Sequence, residues 1–454
     1  MRLRPTEMEM KRLALGAVVL LAVALLPLRV EPQQDWFRTG TGLGVEKVRV
    51  ALPSFAAYVA EAETLAGIFN ATLWNDLAMS GVVELVSSSF YPLEGPTRSG
   101  ELNHEAWVAS PTEAHMVAYG NLEFLSADLA VNAWLSDVRN PGAPAVIAKR
   151  YRGDRTEDQA RQLAHHFADE IVERLSGGQP GIARTQVVFV SNRSRKKEIW
   201  VMDYDGHNQQ RVGHCSIRCL TPRWSFDRTR LAYTAYSTPA GRSVPRVDIH
   251  LHSLLTNRPL AFPSLGGTTT TPAWSPDGRR LALSSSRTRD HEIYVCNPDG
   301  SNLRRLTFSQ GVDISPAWNP RTGEQIAFVS DRGGSPQIYL MDADGSNVER
   351  LTSGEGYAVS PAWSPNGQII AFAWQHDDAP LDIYVMDVAT RQTVQLTRDA
   401  GRNEQPSWAL DGRHLVFQST RSGRDQVWMM LADGTGLRQL TFEGSNSGPH
   451  WFPR

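Results

Sequence analysis

Six tryptophans spaced almost evenly along the second half of the chain constrain its fold more than any other feature. They sit in TPRWSFDRTR (Trp224), TPAWSPDGRR (Trp274), SPAWNPRTGE (Trp318), SPAWSPNGQI (Trp363), QPSWALDGRH (Trp408) and GPHWFPR (Trp451), at intervals of 50, 44, 45, 45 and 43 residues. A fixed period in this range marks a solenoid, a propeller or an array. Each Trp precedes a turn, then a short apolar run such as LALSSS or IAFVS, then a second such as EIYVCN or QIYLMD. A D-G turn and a tail such as RRLT or VERLT complete the unit. That is four short strands joined by hairpins, the content of a propeller blade. Helical repeats would show a 3.6-residue period and few Pro-Asp-Gly turns, so they are excluded. The high Gly, Pro and Trp counts (36, 27 and 13) fit many short strands separated by turns.

The phase of the repeat predicts how the ring closes. QVVFVSN…EIWVMDYDGHNQQRV begins near Thr185 without a Trp strand, whereas GPHWFPR is a Trp strand without successors. The two fragments complete one another, giving six blades with the C-terminal strand beside the first propeller segment. Such sharing removes the unpaired edges of an open ring.

The N-terminus reads as an export signal. Arg2, Arg4, Lys11 and Arg12 precede the uncharged run Leu13 to Leu28. This run is shorter than the ~20 residues of a membrane span. The expected organisation is a signal peptide over 1–30, a flexible arm over 31–45, a mixed α/β domain over 46–176, a linker over 177–184 and a six-bladed propeller over 185–454. Within the α/β domain, KVRVALPSF alternates as a strand. Ala56 to Met79 reads as one long helix, with Leu65, Ile68, Phe69, Thr72 and Leu73 on one stripe. VVELVS is a second strand, His104 to Ala109 a short helix, and EAHMVAYGNL, ADLAVNAWLSDV and AVIAKRYRG three more strands. Thr156 and Gln159 form a capping box for a last helix, with Leu163, Phe167, Ile171 and Leu175 on its apolar face. Helices covering a mixed sheet are the expected arrangement.

Motifs for chemistry are scarce. No G-x-S-x-G, H-E-x-x-H or G-x-x-x-x-G-K-[ST] occurs, no cofactor is implied, and a net charge of −2 gives no field for nucleic acid. Gly40, Gly42 and Gly44 precede a strand instead of following one and read as a flexible arm. The D-x-D-G-x-N segments at Asp203 and Asp342, with N-P-D-G-S-N at Asn297, resemble calcium loops. They lack a closing Glu and read as hairpin turns. Cys215 and Cys219 share a loop next to His214, where a local disulfide or part of a metal site are both open, while Cys296 reads as buried and inert. Arg193, Arg287, Arg332 and Arg421 each stand six residues before an Ile or Val. A fixed register points to an arginine bracing its own hairpin, against a basic ring on the propeller face.

The repeat PAWSPDG…IAFVS-x-R…IY-[VL]-MD-x-DG…RLT resembles that of the TolB family, periplasmic propeller proteins of the Tol–Pal envelope system. The order of export signal, arm, α/β domain and propeller is similar as well. The resemblance implies a non-enzymatic periplasmic scaffold, peripheral to membranes. It would bind a Pal-like lipoprotein through the propeller and a TolA-like inner-membrane protein through the arm, supporting outer-membrane integrity and cell division. The expected propeller contacts are rim residues in the loops before each Trp strand: Thr270, Thr271, Asp313, Ile314, Ala358, Val359, Asn403 and Glu404, with Arg332 and Arg421 nearby. The expected arm contacts are Trp36, Phe37 and Arg38. Two other readings compete: an exported propeller holding a small ligand or glycan in its channel, and a degenerate peptidase or lyase.

Overall fold

The computed structural model describes residues 44, 46–213, 215–238, 241, 243–376 and 379–451. The signal segment, the arm apart from Gly44, and His214 lie outside the described residues.

The α/β domain holds β1 (Val48–Ala51), β2 (Ala56–Ala57), α1 (Glu63–Met79), β3 (Val83–Leu85), α2 (His104–Val108), β4 (Met116–Leu125), β5 (Asp128–Asp137), β6 (Ile147–Asp154) and α3 (Glu157–Leu175). Its sheet runs β3-β1-β4-β5-β6, with β2 paired to β4. β1 is parallel to β3 and β4, and β4, β5 and β6 are antiparallel, so the sheet is mixed. One expectation fails here. The helix begins at Glu63, not Ala56, because Ala56 and Ala57 pair with Asn121 and Leu122 of β4 and the Tyr58 N–H bonds the Leu122 carbonyl. A tertiary ladder overrides helix propensity over those residues.

Half of the capping box expected for α3 forms: the Thr156 N–H donates to the Asp154 carbonyl and not to the Gln159 side chain. The Gln159 backbone N–H donates to Thr156 Oγ1 at 3.2 Å, and Leu163, Phe167 and Ile171 are buried against α1 and the sheet. Gly177 and Gly178, both at positive φ, end the helix, and the Gly178 N–H reaches back to the Glu173 carbonyl. The linker is then pinned by buried Asp169, which accepts from the Ala183 N–H at 2.8 Å and Arg184 Nε at 2.9 Å. Gly181 passes so close that a Cβ there would lie 2.2 Å from Asp169 Oδ1.

The propeller is six four-stranded sheets. Five follow chain order. In the sixth, the C-terminal strand Asn446–Trp451 pairs with β7 (Gln186–Ser191), followed by β8 (Glu198–Asp203) and β9 (Gln210–Arg211). Blades are numbered 1 to 5 from Arg218 onwards, and the shared one is blade 6.

Two repeated contacts explain the repeated residues. In blades 3, 4 and 5 the indole N–H of Trp318, Trp363 and Trp408 donates to the carbonyl of Ala273, Ala317 and Ala362 in the preceding blade, at 3.1–3.2 Å. Trp224 does the same to His450, which carries the contact across the closure. These four Trp are thus both core and inter-blade tie; truncating such a ring to Ala removes about 3–5 kcal/mol. Second, the Thr of each R-L-T tail closes its own blade. Thr307, Thr352, Thr397 and Thr441 accept from the N–H of Ile293, Ile338, Ile383 and Val427 at 2.9 Å. They donate to Glu292, Gln337, Asp382 and Gln426 at 2.6 Å.

The α/β domain docks on one face of the ring through the turns of blades 5 and 6. Tyr204 Oη donates to Asp76 of α1 at 2.5 Å, His165 of α3 bonds the same carboxylate at 2.7 Å, and Arg161 pairs with Asp205. The Met79 carbonyl accepts from His414 Nε2 at 2.6 Å. These turns follow the first and third strands of their blades. In an antiparallel blade the loops entering the first strand, and the hairpins between the second and third, lie at the opposite end.

Candidate partner face and central channel

The rim expectation needs correction. Thr270, Thr271, Asp313, Ile314, Ala358, Val359, Asn403 and Glu404 do not lie in loops but within the innermost strands Thr269–Trp274, Asp313–Trp318, Tyr357–Trp363 and Asn403–Trp408. Asp313, Ala358 and Asn403 are fully buried. The reason is a shared bulge. Thr221, Thr271, Ser315, Ser360 and Gln405, each just before the Pro of the motif, take φ between 48° and 58°, and the register with the second strand shifts there. The strand therefore begins before the bulge, several residues earlier than its alternation shows.

Arg332 and Arg421 are structural. Arg332 Nε donates to Ser330 Oγ at 2.8 Å and its Nη2 to Asp313 Oδ2 at 2.7 Å; Arg421 does the same to Ser419 at 2.9 Å and Asn403 Oδ1 at 2.9 Å. Each guanidinium lies over two aromatic rings, Phe328 and Tyr339 or Phe417 and Trp428. Arg193 repeats the bracing on Ser191 and Asn446. The arginines tie the second strand of a blade to the first, so this is the hairpin brace and not a free basic ring. The turns at Asp299 and Asp344 are likewise used internally, each aspartate accepting from a serine N–H two residues on at 2.9 Å.

The entry face exposes large apolar side chains beside its charged loop residues. Phe308 and Phe442, in the loops entering blades 3 and 6, are 75 % and 71 % exposed, and Val244 in a hairpin of blade 1 is 71 % exposed. Sequence reading missed them because they follow the L-T tails and look like strand ends; their place in the motif, just after the buried Thr, is the signal. Cys215, in the loop entering blade 1, forms a disulfide with Cys219 in that blade's first strand, with Cα atoms 5.9 Å apart. Cys296 is free and buried, and burial pushes its thiol up to about 12.

The inner strands enclose a channel of about 330 Å³. Its wall comprises the six motif tryptophans, the prolines Pro272, Pro316, Pro361 and Pro406 and the bulge residues, with Arg223 and His450. Innermost strands tolerate a Pro because their channel edge has no ladder to donate to. No helix of the described residues is long and apolar enough to cross a membrane.

Fold and channel together define a six-bladed propeller protein carrying a small α/β domain on one face. The sequence model of the TolB β-propeller domain matches residues 172–361 and 350–454, and the chain belongs to that family. The chain is 34 % identical to the Tol-Pal system protein TolB of Desulfosudis oleivorans over 300 residues, 65 % of each chain. It is 30 % identical to the protein of that name from Bordetella pertussis over 308 residues, 67 % of this chain and 66 % of that one. The chain thus covers just under two thirds of the length of these relatives. The crystal structure of TolB from Acinetobacter baumannii shares the fold, with a TM-score of 0.77 over 90 % of this chain and 98 % of that one, at 24 % identity.

Proposed function

We propose that this chain is a non-enzymatic periplasmic scaffold of a Tol–Pal system. Its propeller binds a Pal-like lipoprotein on the loop-entry face, and its arm, through Trp36, Phe37 and Arg38, binds a TolA-like inner-membrane protein. The observation that carries the first contact is the exposed apolar set Phe308, Phe442 and Val244 on the face opposite the docked α/β domain. Exposed aromatics on a rigid ring suit a protein partner, whose hot spots are aromatic anchors each worth ≥ ~2 kcal/mol. Family membership and the relatives' names support the Tol–Pal setting. The test is calorimetric titration of the chain with the lipid-free domain of a Pal-like lipoprotein. The double substitution Phe308→Ser, Phe442→Ser is expected to weaken binding at least ~30-fold, the equivalent of ~2 kcal/mol, with the melting temperature unchanged. Equal affinity would place the contact elsewhere. Trp36→Ala with Phe37→Ala is expected to abolish binding of the TolA-like partner and spare the lipoprotein; retained binding would remove the arm from the reading.

A further inference from the structure

The residue before each motif Trp lines the channel, and in ring order it is Arg223, Ala273, Ala317, Ala362, Ser407 and His450. Blade 1 therefore places a guanidinium where three blades place a methyl group. Arg223 is half-buried, and its one hydrogen bond is from Nη1 to the Pro222 carbonyl at 2.8 Å. No carboxylate of the described residues pairs with it, and the channel wall contains neither Asp nor Glu. Burial pushes the guanidinium down to about 10, so it still carries its charge at neutral pH.

One more donor shares that wall. His450 Nδ1 accepts from the Trp224 N–H at 3.5 Å, and burial, with the adjacent Arg223 charge, pushes its pKa well below 6.5. The ring is therefore neutral, with the proton on Nε2.

We propose that the channel is a carboxylate-binding site. Arg223 is the charged anchor, with His450 Nε2–H as a neutral donor beside it. A single guanidinium fork matches a planar monoanion in shape and charge. The Trp and Pro wall accommodates an apolar body attached to the carboxylate. The carboxylate belongs either to a free small acid or to an acidic side chain of a peptide inserted from the open face. The site does not rest on the partner reading above.

The full chain supplies its own reporter, because the motif tryptophans line the site. Tryptophan fluorescence is followed on adding benzoate, an amidated and acetylated Gly-Asp-Gly peptide, or choline as a cationic control, at constant ionic strength. Saturable quenching by benzoate, weakened about 10- to 100-fold by Arg223→Ala, identifies a small-acid site; that range is the worth of one charge-assisted hydrogen bond. The same behaviour with the peptide alone identifies an inserted acidic side chain. Ala is the residue of blades 2, 3 and 4 at this position, so Arg223→Ala is expected to keep the fold. Arg223→Lys is the second variant and is expected to bind more weakly than the parent through loss of the fork. Equal quenching of parent and Arg223→Ala, quenching by choline, or no saturation by either carboxylate at about 10 mM, weaker than a Kd of ~1 mM by tenfold, overturns the proposal.

Discussion

Asp313 Oδ2 and Arg332 Nη2 meet at 2.7 Å, joining the start of the first strand of blade 3 to the end of its second. The same two positions hold Asn403 with Arg421 in blade 5 and Asn446 with Arg193 in blade 6. Blade 4 has Ala358 at the first position, paired in register with Trp374 instead of a serine, and no arginine follows. In blades 3, 5 and 6 the acceptor and the arginine occur together and in blade 4 both are absent, as a bracing contact requires; in blade 2 Arg287 is kept, but Thr269 stands at the acceptor position and bonds Ser285 instead, and the guanidinium lies over Tyr294.

Removing one partner of this brace should therefore hurt more than removing both. Arg332→Ala leaves the fully buried Asp313 carboxylate unpaired and is expected to destabilise by about 2–4 kcal/mol, less than for a wholly buried pair because Arg332 is about a quarter exposed. Asp313→Asn should cost under ~1 kcal/mol, because Asn403 serves Arg421 in blade 5. The double variant Asp313→Ala, Arg332→Ala reproduces the blade 4 arrangement and should recover part of the loss. Denaturant titrations of the parent, Arg332→Ala, Asp313→Ala and the double variant close the cycle; additive losses would deny the coupling.

The brace was partly legible. The spacing of Arg193, Arg287, Arg332 and Arg421 from the third strand announced a repeated structural role, but their acceptors did not show. Asp313 and Asn403 lie before a bulge whose residues, Ser315 and Gln405, take positive φ, and a Pro follows each. Positive φ and Pro both break the period-2 pattern by which a strand is read. The innermost strands consequently read as loops in the sequence, and their buried residues as a rim. Arg223 was hidden for the opposite reason: TPRW aligned so well with TPAW that the replaced residue passed as ordinary variation. The blade count and the closure were visible because they depend on Trp spacing alone, whereas the docking of α1 and α3 on blades 5 and 6 depends on contacts between residues far apart in the chain, such as Asp76 and Tyr204.

The indole ties give a comparison between sites of equal burial. Trp318 and Trp274 are both almost fully buried, but only Trp318 has an acceptor, the Ala273 carbonyl. Trp318→Phe should lose about 1 kcal/mol more than Trp274→Phe, the net worth of one hydrogen bond. Thermal melts of the two variants decide this, and equal losses would reduce the ties to packing.

The docked face should respond to pH. Burial alone would lower the pKa of His165, but its hydrogen bond to Asp76 and the charges of Asp76 and Asp205 outweigh burial and the opposing Arg161, and raise it. Tyr204 completes the surroundings by donating to Asp76. A histidine raised on folding contributes stability that is fully present below its unfolded pKa of ~6.5 and is lost as pH rises through the folded value. The contribution of His165 is therefore expected to fall as pH is raised above ~6.5, while His166, His250, His291 and His450, whose pKa values burial lowers, tilt stability the other way. The test is the difference between proteins: His165→Gln should lower stability at pH 6 by more than at pH 8, and an equal loss at both would contradict the charged pairing.

The strand Asn446–Trp451 should be indispensable, because three separate contacts close the ring through it. Its backbone pairs with β7, covering an edge that runs through buried Val188 and Val190. Asn446 Nδ2 donates to Gln426 Oε1 of blade 5 at 2.7 Å, and its Oδ1 accepts from Arg193 at 3.4 Å. Trp451 Nε1 donates to Thr185 Oγ1 at 2.8 Å, holding the last strand to the start of the first. Truncation after Ser445 exposes a six-residue apolar edge, leaves Gln426 and Thr185 without these partners, and opens the core shared with α3. The truncated chain is expected to aggregate or to bind hydrophobic dyes, seen by size-exclusion chromatography and 8-anilinonaphthalene sulfonate fluorescence. If the loss is edge exposure and not general damage, a peptide of residues 446–454 added in trans should restore a monomeric, cooperative melt by adding the missing strand. The same peptide with Trp451→Ala should fail, since it supplies the backbone ladder without the anchor. A truncated chain that stays monomeric with the parent melting temperature would show that the ring does not depend on this strand for closure.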